Sequence, residues 1–432
     1  AADNAEITAV ASGTLPSGQP VVVNADGTVS VVGETDVSQA VGTPVVFNAA
    51  TSRDTSAAFD SANNKVVIAY RDTGNSSYGT AIVGTVSGNS VSFGTAVVFN
   101  SAFTTECSVT FDNVAEKIVV AYRDHGNSNQ GTAIVGTVSG ASVSFGGETV
   151  FETGSTEQIG ATFDTALGKV LVAYSDGGNS DYGTAVVGTV SGTSISFGSP
   201  VVFESSAILY TSPVFDSSND KIVIAYHDGG STNPTAIVGT VSGTSISFGS
   251  AAVIKSVNGN YTAAAFDSTN NKVVVAFRDE NNSNKGFASV GTVSGTSISF
   301  GTSVEFEAGN TINTAATFDF INSKVVIAYS DAGNSSHGTL VVGTVSGTDI
   351  SFGSAVVYES AGTEYTGATF DSNLGKVVIS YTDSGNSSYG TSVVFQNAGT
   401  STNLTAENYI GFAGGVVDVT GSAAFVGTPV VF

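Results

Sequence analysis

The stretch FDSANNKVVIAYRDTGNSSYGTAIVGTVSGNSVSFGTAVVF, residues 59–99, recurs along almost the whole chain of 432 residues. From its lysine, Lys65, equivalent lysines follow at spacings of 52, 52, 52, 51, 52 and 52 residues. Seven of the nine lysines in the protein occupy this one position. A fixed period of this length is the signature of a repeat architecture. The seven lysines that mark repeats one to seven are Lys65, Lys117, Lys169, Lys221, Lys272, Lys324 and Lys376.

Each repeat contains four short runs of Val, Ile, Thr, Tyr and Phe, separated by turns rich in Gly, Asn, Asp and Ser. This pattern is typical of β-strands joined by tight turns, and no window has the 3.6-residue period of an amphipathic helix. Four-stranded units repeated four to eight times build β-propellers. The sequence therefore predicts an all-β fold, a seven-bladed β-propeller with four-stranded blades. A linear solenoid is the alternative, and it would need capping repeats with polar outer faces.

The seventh repeat lacks its fourth strand, whereas a matching strand, VGTPVVFN at residues 41–48, precedes the first repeat. We predict that this N-terminal strand completes the last blade, which would remove two open sheet edges. A second copy, GTPVVF at residues 427–432, leaves open that the C-terminal strand closes the blade instead. The duplication and the missing initial methionine favour a chain cut from a longer tandem polypeptide. The predicted domains are a β connector or attachment segment at 1–36, the propeller at 37–396, and a second β connector at 397–432, which can also be the start of a further propeller.

The composition excludes several classes of protein. The chain has 36 acidic and 13 basic residues, a formal net charge of −23, and only 11% charged residues. Binding of nucleic acid through phosphate neutralisation is therefore not expected, and no apolar run reaches the ~20 residues of a membrane helix. The single cysteine, Cys107, cannot form an internal disulfide and is predicted to be a small buried side chain. No cofactor is predicted.

The turn Y-x-D-x-G-N-S-x-x-G-T resembles the Asp-box hairpin of sialidase-like propellers. One carboxylate per turn is too few for a calcium site, so we predict a structural turn in which Asp accepts backbone N–H groups and Gly supplies a positive φ. A sialidase would need clustered arginines. Three of the four arginines, Arg71, Arg123 and Arg278, occupy one repeat position, predicted on the surface and spread around the ring, so no enzyme and no catalytic residue is predicted. The turn is nearly complete at Asp72, Asp124, Asp176, Asp331 and Asp383.

The repeats differ most in the segment that enters each first strand. In a propeller the connection between blades lies on one face near the central channel. In each repeat we consider the residue five positions before the Phe that opens the quoted stretch, which is Phe59 in repeat one. These seven residues would then form a ring of polar and aromatic side chains that suits a carbohydrate or another uncharged polar ligand. The alternative is that unconstrained loops vary without function. The predicted ligand-binding residues are Asp54, Glu106, Gln158, Tyr210, Tyr261, Asn313 and Tyr365.

Three stretches of the chain resemble tail-fibre and virion-surface proteins of marine bacteriophages, including those that infect cyanobacteria. They are ITAVASGTLPSGQPVVVNADGTVSVV (7–32), NLTAENYIGFAGG (403–415) and the repeat text itself. The resemblance implies a non-enzymatic tail-fibre or decoration protein at the virion surface or outside the cell. It would contact other virion or fibre subunits through its terminal segments and a host glycan or receptor through its variable loop face. The alternatives are a secreted bacterial adhesin or lectin-like propeller module, and a purely architectural spacer.

Overall fold

The computed structural model describes residues 6–16, 19–402, 409–412 and 422–426. These residues form an all-β structure whose only helices are single 3-10 turns. The chain divides into two compact units: a terminal unit, Ala1–Gln39 with Asn397–Phe432, and a repeat unit, Ala40–Gln396. Within the described residues, no helix is long and apolar enough to cross a membrane.

The strands are numbered in chain order. The terminal unit contains β1 (Glu6–Val10), β2 (Pro20–Val23), β3 (Val29–Val31), β4 (Glu34–Val37), β35 (Gly399–Thr402), β36 (Tyr409–Phe412) and β37 (Ser422–Val426), paired as β1–β37, β3–β2–β36 and β4–β35. The repeat unit begins with β5 (Ala40–Val41), β6 (Val45–Asp60), β7 (Lys65–Asp72), β8 (Tyr78–Ser87), β9 (Ser90–Phe93), β10 (Val97–Asp112), β11 (Lys117–Asp124), β12 (Gln130–Ser139), β13 (Ser142–Phe145), β14 (Thr149–Asp164), β15 (Lys169–Asp176), β16 (Tyr182–Ser191) and β17 (Ser194–Phe197).

It continues with β18 (Val201–Asp216), β19 (Lys221–Asp228), β20 (Pro234–Ser242), β21 (Ser245–Phe248), β22 (Ala252–Val253), β23 (Gly259–Asp267), β24 (Lys272–Asp279), β25 (Lys285–Ser294), β26 (Ser297–Phe300), β27 (Val304–Glu307), β28 (Thr311–Asp319), β29 (Lys324–Asp331), β30 (His337–Ser346), β31 (Asp349–Phe352), β32 (Val356–Asp371), β33 (Lys376–Asp383) and β34 (Tyr389–Gln396). The 3-10 turns are Thr73–Asn75, His125–Asn127, Gly177–Asn179, Glu280–Asn282, Ala332–Asn334 and Ser384–Asn386.

Repeat one illustrates the antiparallel order within a repeat. The end of β6 pairs with β7, β7 pairs with β8, and β8 pairs with both β9 and the start of β10. The fourth strand therefore consists of two pieces, β9 and the first residues of β10. Because β10 then continues as the first strand of repeat two, one 16-residue strand runs from one repeat into the next.

One backbone hydrogen bond recurs at every junction between repeats. The Thr104 N–H donates to the Ser77 carbonyl at 3.0 Å, and the Ser52 N–H donates to the Ser388 carbonyl at 3.0 Å, which joins repeat seven to repeat one. The same bond therefore occurs seven times, once per repeat. The other five donor–acceptor pairs are Thr156–Asn129, Ile208–Asp181, Gly259–Thr232, Thr311–Asn284 and Thr363–Ser336.

The N-terminal strand pairs with the last repeat. Phe395 of β34 lies opposite Val41 of β5, and Ser392 lies opposite Val45 of β6. This is the partner that the sequence analysis assigned to residues 41–48. The competing strand at residues 427–432 lies outside the described residues.

Aromatic side chains pack between neighbouring repeats. The buried ring of Phe99 lies 5.1 Å from the ring of Tyr122 and 5.6 Å from that of Phe145, measured between centroids. The ring planes are inclined at 55° and 57°, and aromatic pairs add about 0.5–1.5 kcal/mol beyond the area that they bury.

Except in repeat one, where the Asp72 side chain makes no such bond, the Asp turns confirm one half of the structural prediction and correct the other. The Asp124 Oδ1 accepts the Gly126 N–H at 2.9 Å, so the carboxylate does hold the turn. The positive φ angles, however, belong to Ser128 (58°) and Asn129 (65°) and not to Gly126. Gly126 is required for space instead, because a Cβ there would lie 2.4 Å from the Cβ of Ala102.

A serine hydroxyl links the first strands of several neighbouring repeats. The Ser108 Oγ accepts the Ala161 N–H at 2.9 Å, and the same bond occurs in repeats one and four. The junction after repeat three differs on both sides, because Gly160 has no hydroxyl and Pro213 has no N–H. A Cβ at Gly160 would lie 2.5 Å from the Pro213 Cδ, so glycine and proline form a matched pair.

Gly160→Ser is therefore expected to lower the free energy of unfolding by about 1–3 kcal/mol, the usual cost of overpacking. Adding Pro213→Val, which copies Val109 of repeat two, restores both space and an N–H donor. The double variant should regain most of the loss. Denaturant unfolding in a double-mutant cycle measures this coupling, and additive losses would contradict the pairing.

Candidate functional site

Every repeat carries a β-bulge at the same place in its first strand. In repeat one the pairing moves from Arg53 opposite Arg71 to Ser56 opposite Ala69, so two residues oppose one. One of these two residues is Asp54, with a left-handed φ of 51°. Non-glycine residues held there cost of order 1–3 kcal/mol and cluster at functional sites. The equivalent left-handed residues, with φ between 49° and 58°, are Glu106, Gln158, Tyr210, Tyr261, Asn313 and Tyr365.

These seven left-handed residues are the seven that the sequence analysis selected. All of them line one cavity of about 540 Å³ in the repeat unit, and each is half-buried. The bulge explains the arrangement, because an extra residue re-aims the side chain out of the sheet. We call this cavity the mouth. Ligand binding by these residues stays a prediction.

Carboxylates occupy the wall of the mouth in repeats one and two. The Arg71 Nε lies 3.1 Å from the Asp54 Oδ2, although the angle between them is too poor for a hydrogen bond. Burial raises the pKa of Asp54, against the opposing effect of Arg71. Burial also raises the pKa of Glu106 to about 7, and the like charges of Asp54 and Glu157 add to the shift.

An amide and two tyrosines continue the wall in repeats three to five. The Gln158 Oε1 accepts the Tyr210 N–H at 2.7 Å, which ties the ring residue of one repeat to that of the next. The rings of Tyr210 and Tyr261 lie 4.6 Å apart between centroids, inclined at 38°. Burial is also the main cause that raises the pKa of Tyr210 to about 12, so its hydroxyl remains a hydrogen-bond donor at neutral pH.

Tyr365 lines the mouth beside residues of repeat one, and Asn313 lines it in repeat six. The Arg53 Nη1 donates to the Tyr365 Oη at 3.0 Å. The Thr55 Oγ1 donates to the Tyr365 carbonyl. Contacts from repeat one therefore hold the ring residue of repeat seven in place.

The arginines correct the sequence analysis, which placed three of them on the surface. The side chains of Arg71, Arg123 and Arg278 are only 14%, 17% and 15% exposed. The Arg123 Nη1 lies 2.7 Å from the Glu157 Oε1. The Arg278 Cζ lies 4.7 Å from the centroid of Tyr261, in the geometry of a cation–π contact.

Together with Arg53, these are all four arginines of the chain, and each contacts a ring residue or its sequence neighbour. Sequence reasoning missed this supporting layer. The sequence does contain a signal for it. Three of only four arginines share one repeat position, and the fourth, Arg53, directly precedes Asp54. The partners of the four guanidinium groups lie in repeats one, three, five and seven, so the arginines contact the wall at four separate places.

Cys107 is buried, as predicted, with 8% exposure. Burial raises the pKa of its thiol well above the ordinary value. In the described part of the chain, no group of three or more His, Cys, Asp or Glu side chains could hold a metal ion. The mouth thus presents hydrogen-bonding groups and tyrosine rings.

Comparisons with known proteins give a likeness of fold. No protein-family model and no curated protein matches the chain. Among solved structures, the chain is similar to a protein of unknown function from Dyadobacter fermentans, with a TM-score of 0.51 and 11% identity over 84% of this chain and 99% of that one. It is also similar to the BP39L lectin from Burkholderia pseudomallei, with a TM-score of 0.60 and 11% identity over 83% and 99% of the two chains. At this identity the likeness concerns the fold alone.

Proposed function

We propose that this protein is a non-enzymatic, lectin-like module that binds carbohydrate in the mouth. The observation that carries the proposal is the ring of seven left-handed residues around one cavity. Other non-glycine residues with a positive φ lie in turns, whereas these seven all line the same cavity. The fold likeness to a lectin supports the same function.

We further propose that the seven repeats close into a seven-bladed propeller. Two observations support closure. The junction hydrogen bond recurs between repeats seven and one, with Ser52 as donor and Ser388 as acceptor. In addition, β34 takes its outer partner from the N-terminal strand. Closure would leave neither end of the repeat series with an open sheet edge.

The chemistry of the mouth suits a saccharide. Tyrosine rings offer apolar faces to the C–H groups of a sugar ring, and their hydroxyls donate hydrogen bonds. Gln158 and Asn313 add amide donors and acceptors at fixed positions. A concave site with a few placed polar groups is the usual form of a small-ligand pocket.

The double variant Tyr210→Ala/Tyr261→Ala is expected to lose at least about tenfold in affinity for a glycan selected on an array, because it removes the paired rings from the wall. Titration calorimetry of the full chain measures the loss. Tyr78→Ala/Tyr182→Ala is the matched control, since both tyrosines lie in the Asp turns and outside the mouth. If the wild-type protein binds no glycan on the array, the result would favour the architectural spacer and overturn the carbohydrate proposal.

The setting of the module is a separate proposal. The resemblance to bacteriophage tail-fibre proteins suggests display on a virion, with the terminal unit as the attachment to other subunits. The similar solved structures come from bacteria, which suits a secreted bacterial adhesin or lectin equally well. Immunogold labelling of particles and of cells would separate the two settings.

A further inference from the structure

We propose that the saccharide bound in the mouth carries a primary ammonium group, as in an amino sugar, and that Glu106 pairs with it. This inference rests on the proposed carbohydrate function and names the ligand class of the same site. It comes from the charges around the mouth.

The mouth and its supporting layer contain one more carboxylate than guanidinium. Three ion pairs join Arg71 to Asp54, Arg123 to Glu157, and Arg278 to Glu280. Arg53 donates to the Tyr365 Oη and lies within electrostatic reach of Glu364, a further residue of the mouth, without forming an ion pair. Within the described residues, no ion pair joins Glu106 or Glu364 to a cation. Glu106 also faces the like charges of Asp54 and Glu157.

The surroundings of Glu106 favour a cation from outside the protein. Its carboxylate interacts with the Gln158 N–H, faces like charges on Asp54 and Glu157, and is only partly offset by Arg123. A buried carboxylate without a charged partner is costly, whereas a charge-assisted hydrogen bond to an ammonium is about twice as strong as a neutral one. The tyrosine pair of the same mouth, Tyr210 and Tyr261, would contact the sugar ring.

The test compares a glucosamine trisaccharide with its N-acetylated counterpart, which has similar rings but no positive charge. Titration calorimetry of the full chain near neutral pH should show tighter binding of the amine. Glu106→Gln should lower the ratio of the affinity for the amine to the affinity for the N-acetylated sugar by about tenfold or more, or ~1.4 kcal/mol. The variant is expected to fold, because Gln158 occupies the same position in the next repeat and accepts the equivalent N–H.

The reciprocal variant gives an independent readout. Gln158→Glu adds another carboxylate without an ion pair and should raise the ratio of the affinity for the amine to the affinity for the N-acetylated sugar. Equal binding of both sugars, unchanged by Glu106→Gln, would overturn the ammonium inference and leave the proposed function standing. If the protein binds neither sugar and no glycan on the array, both the ammonium inference and the proposed carbohydrate function are overturned. Spermidine that binds as tightly as the amino sugar would overturn recognition of a saccharide.

Discussion

Replacing Phe47 by alanine is expected to lower the free energy of unfolding by about 3–5 kcal/mol, the usual cost of emptying a buried phenylalanine site. Phe47 belongs to the N-terminal strand and is 7% exposed. Its ring lies 5.1 Å from that of Tyr70. It also fills the space beside Gly390 of the last repeat, where a Cβ would come within 2.4 Å of the ring.

The place in the chain where Phe47→Ala increases hydrogen exchange tests whether the N-terminal strand completes the last repeat. Hydrogen exchange of Phe47→Ala should quicken in Tyr389–Gln396, more than 300 residues away in sequence, because β34 would lose its partner strand. Phe99→Ala removes the equivalent ring of repeat one and should quicken exchange near Gly79 instead. Val46→Ala, on the same strand but 39% exposed, should change stability by less than ~0.5 kcal/mol. Unaltered exchange in β34 of Phe47→Ala would contradict the closing role.

Glu106→Gln is expected to stabilise the protein by about 3 kcal/mol above pH 7 and hardly at all near pH 4. The folded-state pKa of Glu106 is raised from 4.5 to about 7, mainly by burial. Above pH 7 the group is ionised in both states, and only the folded state bears the cost of the buried charge. As the pH falls through this window the folded state takes up the proton first, so the cost disappears. Glutamine removes the charge at every pH.

Denaturant unfolding of both proteins between pH 4 and pH 8.5 measures the difference. Glu116→Gln, an exposed carboxylate of the same repeat, makes the same chemical change outside the mouth and should alter stability by under ~0.5 kcal/mol. If the difference in free energy of unfolding between wild type and Glu106→Gln does not increase with pH, then burial of the ionised Glu106 carboxylate does not destabilise the folded protein.

Much of the architecture could be predicted because it is encoded locally. The repeated Phe-Asp pair and the run from Lys65 to Asp72 define strand and turn within a few residues, and the period then multiplies them. The candidate ring could be found for the same reason. Once the repeats are aligned, one column varies between repeats. It lies five residues before Phe59 and its equivalents, and it runs from Asp54 in repeat one to Tyr365 in repeat seven.

Other features could not be predicted because they depend on side chains far apart in the chain. Arg53 and Tyr365 are 312 residues apart, yet they share a hydrogen bond. The left-handed φ of three tyrosines runs against their local preference, and the bulge in the paired strands maintains it. The positive φ angles of the Asp turn fall on Ser128 and Asn129, whereas Gly126 lies where Ala102 approaches.

The sequence by itself determined the all-β class, the seven repeats, the place of the turns and the position of the variable ring, because hydrophobic alternation and turn chemistry act over short stretches. Only the tertiary structure decided which groups meet in the mouth, that all four arginines support its wall, and that Glu106 forms no ion pair within the described residues. Burial and Coulomb energies depend on distances through space, and a linear sequence does not contain those distances.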